Sequence, residues 1–283
     1  MSQVSLYPFP RLARVAQKWV GGWNRVGTQI EFHVKTLSSA RDLLIHYRVE
    51  LVRQVAQMSL GAGALAMIGG TLAIVAFLTL STGAIVAAQG YNQFSQVGVE
   101  ALTGFASAYF NVRIVAPLTA EFALAATIGA GATAQLGAMR INEEIDALEV
   151  IGIRSIAYLA SARVSAGLIV VIPFYCVSIL AAFFATRFGT TYVYGQSSGV
   201  YDHYFHTFLN RVDLIWSFAE VTVAGIVIML IHTYYGFTAS GGPAGVGEAV
   251  GRATRASLLA AVLVTVAITL AVYGQSGNFN LAG

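Results

Sequence analysis

Four carboxylates crowd the segment Met139–Arg154, which reads MRINEEIDALEVIGIR. Neighbouring carboxylates can perform acid–base catalysis, but this segment contains no histidine, serine, threonine or cysteine to work with them. Its apolar residues recur at helical spacing, which predicts a short amphipathic helix with acidic outer faces. The carboxylates are Glu143, Glu144, Asp146 and Glu149, and the apolar stripe is Ile141, Ile145, Leu148 and Ile151.

The acidic helix has two possible roles. A run of charges usually marks a helix face in contact with water. However, cytoplasmic loops of membrane proteins are normally rich in lysine and arginine, so an acidic loop helix is unusual. The alternative is a helix that docks into a groove on a soluble partner.

Several polar residues lie within long apolar stretches. An ionisable group in hydrocarbon costs at least about 2.5–3.5 kcal/mol and normally faces a cavity or a partner. Glu121 and Glu220 could therefore carry protons in an ion-coupled transporter, or each could be a neutral carboxyl bonded to the backbone. His232 is a weaker case, better explained by helix packing. The remaining candidates for a lipid pathway or an intramembrane polar site are Gln89, Arg113 and Gln135.

Motifs for nucleotide hydrolysis and metal binding are missing from the sequence. There is no G-x-x-x-x-G-K-[ST] phosphate loop, and the only two lysines lie in the first 53 residues. The five histidines lack the usual ligand spacing, and Cys176 is alone. We therefore expect a non-catalytic chain that holds no metal or cofactor. Any energy for transport would come from another subunit or from an ion gradient.

The composition indicates a membrane protein. Hydrophobic residues make up 57% of the 283 positions and charged residues only 10%, against about 25% charged in soluble domains. Continuous apolar runs of this length predict membrane-spanning helices rather than alternating barrel strands. The five expected spans are about 55–89, 102–138, 156–186, 213–236 and 255–273, and Gly61, Gly63, Gly69 and Gly70 break the first into an elbow and a full span.

The N-terminal part resembles a helix that lies on a membrane surface. Tryptophan and aliphatic residues recur through 11–37 with arginine and lysine on other faces. We therefore divide the chain into a cytoplasmic or interfacial amphipathic segment, 1–53, and a transmembrane domain of five helices, 54–283. Lysine and arginine counts predict that the N-terminus is in the cytoplasm. The tyrosine-rich loop 189–210 and the C-terminus are then expected outside. The basic residues flank the spans, so they do not indicate nucleic-acid binding.

Two segments together carry a family resemblance: EEIDALEVIGI at Glu143–Ile153 and the preceding small-residue run GAGATAQLGAMR. The chain resembles the MlaE/YrbE permeases, the membrane subunits of ABC-type lipid transporters that work with MCE-domain proteins. Weaker matches follow in family order over about residues 50–273: Gln89-Gly90-Tyr91, Arg113 and Pro117, Asp213, and the glycine-rich loop Gly241–Arg255.

Several charged positions of the family pattern are changed in this chain. Ile114 replaces a glutamate, Gln135 replaces another, and Glu220 replaces a lysine. The chain therefore resembles a B-type YrbE subunit of a mycobacterial Mce complex, which pairs with an unlike permease. Glu220 could then face a lysine of that partner.

The resemblance implies an all-α inner-membrane or plasma-membrane permease with five spans and an ATPase-coupling helix at about 139–154. The partners expected from it are a second YrbE-type permease, a cytoplasmic ATPase dimer that holds ATP and Mg²⁺, and MCE-domain proteins outside. The resemblance implies import of fatty acids, mycolic acids or sterols. The alternatives are an ion-coupled secondary transporter and a non-transporting membrane scaffold. The expected coupling residues are Glu143, Glu144, Ile145, Asp146, Leu148 and Glu149.

Overall fold

The computed structural model describes residues 26–60 and 70–274, and this part of the chain contains helices and no strands. Five of the helices are long and apolar enough to cross a membrane. The helices are α1 (26–38), α2 (Ala40–His46), α3 (Arg48–Leu60), α4 (Gly70–Ser95), α5 (Glu100–Ile141), α6 (Glu144–Val150), α7 (Ile156–Val193), α8 (Ser198–Phe208), α9 (Arg211–Phe237) and α10 (Gly242–Tyr273).

The spanning helices α4, α5, α7, α9 and α10 confirm the all-α membrane fold, with differences at their ends. The glycine-rich segment Gly241–Arg255 is helical from Gly242 onward, so the last span begins before the predicted residue 255. The predicted loop 189–210 is also largely helical, because α7 continues to Val193 and α8 follows. Of the predicted elbow glycines, only Gly70 lies in the described part, where α4 begins.

The helices alternate in direction, so the bundle has two ends. One end carries α6 and the α9–α10 turn, and we call it the α6 end. The other carries α8 and the C-terminal end of α10, and we call it the α8 end. Helix α5 packs against α4, α7, α9 and α10 and supplies much of the buried core.

Helix α5 is irregular at two places. Its turns widen at Asn111–Val115 and again at Leu124–Gly129. Pro117 lies just after the first of these. Proline has no backbone N–H to donate, so it would interrupt the hydrogen-bond ladder of a regular helix at this place. Wide turns of this kind are often found at functional sites, and the first one contains Arg113.

An exposed apolar ribbon follows the described N-terminal helices at the α6 end. On α1, Val26, Ile30 and Val34 are all exposed, whereas Phe32 packs on the rings of Tyr234 and Phe237 of α9. An apolar face turned away from its own chain suits a helix lying at a membrane surface. The part of the predicted interfacial helix before residue 26 lies outside the described residues.

Candidate functional site

Helix α6 protrudes between α5 and α7, and its apolar stripe points mainly inward. Ile145 is 1% exposed and packs in a small cluster with Leu136 of α5 and Leu159 of α7. Leu148 packs against the same cluster. The predicted stripe therefore anchors α6 to its own chain, and only its last residue, Ile151, remains strongly exposed. Ile145 and Leu148 therefore anchor α6 to the bundle, and their predicted part in coupling to an ATPase stays a prediction.

The four carboxylates of this segment differ in their surroundings. Arg140 binds Asp146 at 2.6 Å, and Ser155 donates a hydrogen bond to Glu149. Glu143 and Glu144 are exposed at the start of the helix. Glu143 has a left-handed backbone with φ of 59°, an unusual conformation for a residue other than glycine. It turns the chain sharply from α5 into α6.

A small apolar tip stands beside these carboxylates. Val150 is 85% exposed and Ile151 is 71% exposed, at the end of α6 farthest from Glu143. These two exposed apolar side chains next to charged residues form a small surface that a partner could cover. We call Glu143, Glu144, Val150 and Ile151 together the α6 surface.

A second polar group lies at the α8 end of the bundle. Arg113 of α5 forms an ion pair with Asp213 of α9, in which Nη2 donates to Oδ2 at 2.7 Å. The guanidinium also lies over the rings of Tyr109 and Tyr273, at 4.1 and 3.9 Å from their centroids. Tyr273 donates its hydroxyl to Asp213 at 3.0 Å. These contacts bring α5, α9 and α10 together at one point.

A cavity of about 180 Å³ adjoins this group, with a mainly apolar lining. Arg113, Tyr109 and Tyr273 form one wall, and Ile114 and Leu270 lie on the other sides. Asp213 was predicted only as a motif match, and neither tyrosine was predicted. Sequence spacing gives no sign that residues so far apart in the chain meet.

Glu121 and Glu220 come together between α5, α9 and α10, as two carboxyl groups deep in the spanning bundle. Glu121 is fully buried and Glu220 is 4% exposed. Thr265 of α10 lies 3.5 Å from Oε2 of Glu121. Because Glu220 faces the interior of its own chain, a lysine of a partner could not reach it while these helices pack in this way.

The other two predicted intramembrane residues lie apart from this pair. Gln89 is exposed on α4. Gln135 is exposed on α5 and accepts a long hydrogen bond of 3.4 Å from Arg163. The structure therefore does not gather all five predicted polar residues into one pathway.

Nearer the α6 end, a buried histidine connects the same three helices. Nδ1 of His232 lies 2.8 Å from the Thr133 hydroxyl, and Nε2 lies 3.0 Å from the Ser257 hydroxyl. All three side chains are fully buried. Both ring nitrogens thus have partners, which agrees with a packing role for His232.

Helix α8 is tied to α7 by an exposed ion pair. Arg187 donates two hydrogen bonds of 2.8 Å to Asp202. These hydrogen bonds hold the pKa of Asp202 below its usual value, outweighing the opposing effect of partial burial.

Among the described residues, no three His, Cys, Asp or Glu side chains group closely enough to hold a metal ion.

Comparisons with known proteins agree with this architecture. Residues 60–271 match the profile of the family described as Permease MlaE. A protein of Rickettsia bellii, "Probable ABC transporter permease protein", is 28% identical over 179 residues, covering 63% of this chain and 69% of that protein.

Two further relatives match this chain over different shares of its length. "Protein TRIGALACTOSYLDIACYLGLYCEROL 1, chloroplastic" of Arabidopsis thaliana is 28% identical, over 57% of this chain and 46% of its own length. "Probable ABC transporter permease protein ycf63" of Porphyra purpurea is 23% identical, over 77% and 85%. The family match covers most of the chain and reaches into all five predicted spans, so the chain belongs to the MlaE permease family of ABC transporters.

Proposed function

We propose that this chain is the membrane permease subunit of an ATP-driven lipid transporter, and that the α6 surface receives the force of the ATPase. The observation that carries the proposal is the α6 surface itself: two exposed carboxylates and an exposed apolar tip on a helix whose other side is anchored by Ile145. A rigidly anchored helix can pass the movement of a bound partner directly to α5 and α7.

The distribution of basic residues supports a cytoplasmic position for the α6 end. In the described chain, the α8 end has Arg113, Arg187 and Arg211, and all other lysines and arginines lie toward the α6 end. Positive residues accumulate on the cytoplasmic side of membrane proteins. The N-terminus would then be cytoplasmic and the C-terminus outside.

The ABC transporter family implies an ATPase partner, which would bind ATP and Mg²⁺. This chain would supply no residue to the hydrolysis, in keeping with its permease family. We further propose that MCE-domain proteins cover the α8 end, and that a second, unlike YrbE-type permease completes a heterodimer. The departures at Ile114, Gln135 and Glu220 support a B-type subunit.

A lipid is the proposed substrate. The plant relative is named after trigalactosyldiacylglycerol, a lipid, and the large apolar side chains exposed along the spans suit an acyl environment. We propose import of fatty acids, mycolic acids or sterols. Ion-coupled transport through Glu121 and Glu220 is not favoured, because the relatives are ABC transporter permeases. The buried position of both carboxyl groups also gives no open path for an ion.

The test is charge reversal on α6 in the complete transporter, reconstituted in liposomes with a fluorescent fatty acid. In the double variant Glu143→Lys/Glu144→Lys, the rate of ATP-dependent lipid transport should fall at least tenfold, while the permease remains folded and inserted in the membrane. The matched control is Glu31→Lys, which reverses an exposed carboxylate of α1. Transport at the wild-type rate by the double variant would refute the coupling role of α6.

A further inference from the structure

The contact between α5, α9 and α10 buries two carboxyl groups, and one oxygen atom of each has no hydrogen-bond partner. The Oε1 atoms of Glu121 and Glu220 are both buried and have no hydrogen-bond partner in the described part of the chain. A buried charge without a partner is strongly unfavourable, above all inside a membrane. The pair therefore requires some form of compensation.

No free cation among the described residues supplies that compensation. Of the two arginines of α5, Arg113 is bound to Asp213 and Arg140 to Asp146. Tyr175 and Tyr273, the titratable neighbours of Glu220 on α7 and α10, both donate their hydroxyls elsewhere. Helix α4 carries no acidic residue, basic residue or histidine.

Thr265 of α10 lies close to both carboxyl groups. Its hydroxyl is 3.5 Å from Oε2 of Glu121, and Glu220 is a second neighbour of the same side chain. A hydroxyl has one hydrogen to donate and two lone pairs that accept. It can therefore donate to only one ionised carboxylate, and two buried carboxylates that are both ionised would repel each other, which favours a proton on one of them.

We propose that the contact between α5, α9 and α10 is a proton-binding site, in which Glu121, Thr265 and Glu220 form one hydrogen-bonded chain around a retained proton. One carboxyl donates its O–H to the Thr265 oxygen, and the Thr265 hydroxyl donates to the other carboxylate. A proton is the ligand that fits, because both carboxyl groups are buried by the surrounding helices. The proton stabilises the packing of the three helices and is not carried across the membrane.

The site does not depend on the proposed lipid transport, and it is tested on the full purified chain in phosphatidylcholine nanodiscs. Infrared spectroscopy at neutral pH should show the C=O band of a protonated carboxyl group. That band should be lost in the double variant Glu121→Gln/Glu220→Gln, in which glutamine keeps the shape of a neutral glutamic acid. The control Glu31→Gln/Glu248→Gln, at two exposed carboxylates, should retain it.

Thermal unfolding provides a second, independent measurement. Raising the pH from neutral to alkaline should lower the melting temperature of the wild type more than that of Glu121→Gln/Glu220→Gln, because loss of the proton leaves two like charges in the contact. At neutral pH, Thr265→Val should lower the melting temperature and Thr265→Ser should preserve it. A wild-type spectrum without the protonated band, or equal pH profiles for the wild type and the double variant, would overturn the proposal.

Discussion

The guanidinium of Arg113 lies 2.7 Å from a carboxylate oxygen of Asp213, although the two residues are a hundred positions apart in the chain. Both side chains are only 13% exposed, and the rings of Tyr109 and Tyr273 cover the guanidinium. This ion pair joins the widened turn of α5 to the first turn of α9. It thereby sets the distance between these helices at the α8 end.

Removal of the negative charge from this pair should destabilise the protein. In Asp213→Asn, Arg113 stays buried without its counter-charge, and we expect a loss of about 3 kcal/mol in unfolding free energy. Asp202→Asn is the matched control, because its pair with Arg187 is exposed and exposed pairs contribute less than about 1 kcal/mol. Chemical unfolding in detergent micelles measures both. Equal losses in the two variants would contradict a special role for Arg113 and Asp213.

The two sides of α6 should respond differently to substitution. Ile145→Ala removes a buried side chain and should cost about 2–5 kcal/mol of stability. Val150→Ser/Ile151→Ser changes only exposed side chains, so stability should stay within about 0.5 kcal/mol of the wild type. The second variant should nevertheless lose most of the ATPase stimulation by lipid in the complete transporter. Full ATPase coupling in Val150→Ser/Ile151→Ser would place the docking surface elsewhere.

Two glycines of α5 provide a matched pair of substitutions. A Cβ at Gly129 would lie 2.4 Å from Cδ2 of His232, too close without movement of a buried ring, whereas a Cβ at Gly131 would meet nothing within 4 Å. Gly129→Ala should therefore destabilise by about 1–3 kcal/mol through overpacking. Gly131→Ala should be neutral or stabilising by up to about 1 kcal/mol, because alanine favours the helix. Melting temperatures of the purified chain distinguish the two outcomes.

Acidification should loosen α8. Because the pKa of Asp202 is lower in the folded protein than its usual value, the ion pair contributes stability above about pH 4. That contribution is lost as the pH falls through the lowered pKa of the folded state. Hydrogen–deuterium exchange at Ser198–Phe208 should therefore accelerate in acid, after correction for the intrinsic rate. In Asp202→Asn this exchange should already be faster at neutral pH, with no further acid effect from this pair.

Hydrophobic length and charge were enough to predict the spans but not their ends. The long apolar runs predicted helices in the right order, because only a backbone that satisfies its own hydrogen bonds can cross a bilayer. Glycine-rich sequence usually indicates a loop, and the predicted last span therefore starts only at residue 255. In the structure this span extends back to Gly242, because packing against α9 keeps the segment helical. Tyr201 of the predicted outer loop is likewise buried, since α8 folds back onto α5.

The sequence by itself determined the fold class, the membrane location and the presence of an acidic helix between two spans, because all three follow from local patterns of apolar and charged residues. Only the tertiary structure decided which residues meet: Arg113 with Asp213, Glu121 with Thr265 and Glu220, and Ile145 with the core. These contacts join residues that are distant along the chain. Their pairing depends on the rotation and depth of whole helices, which local spacing does not specify.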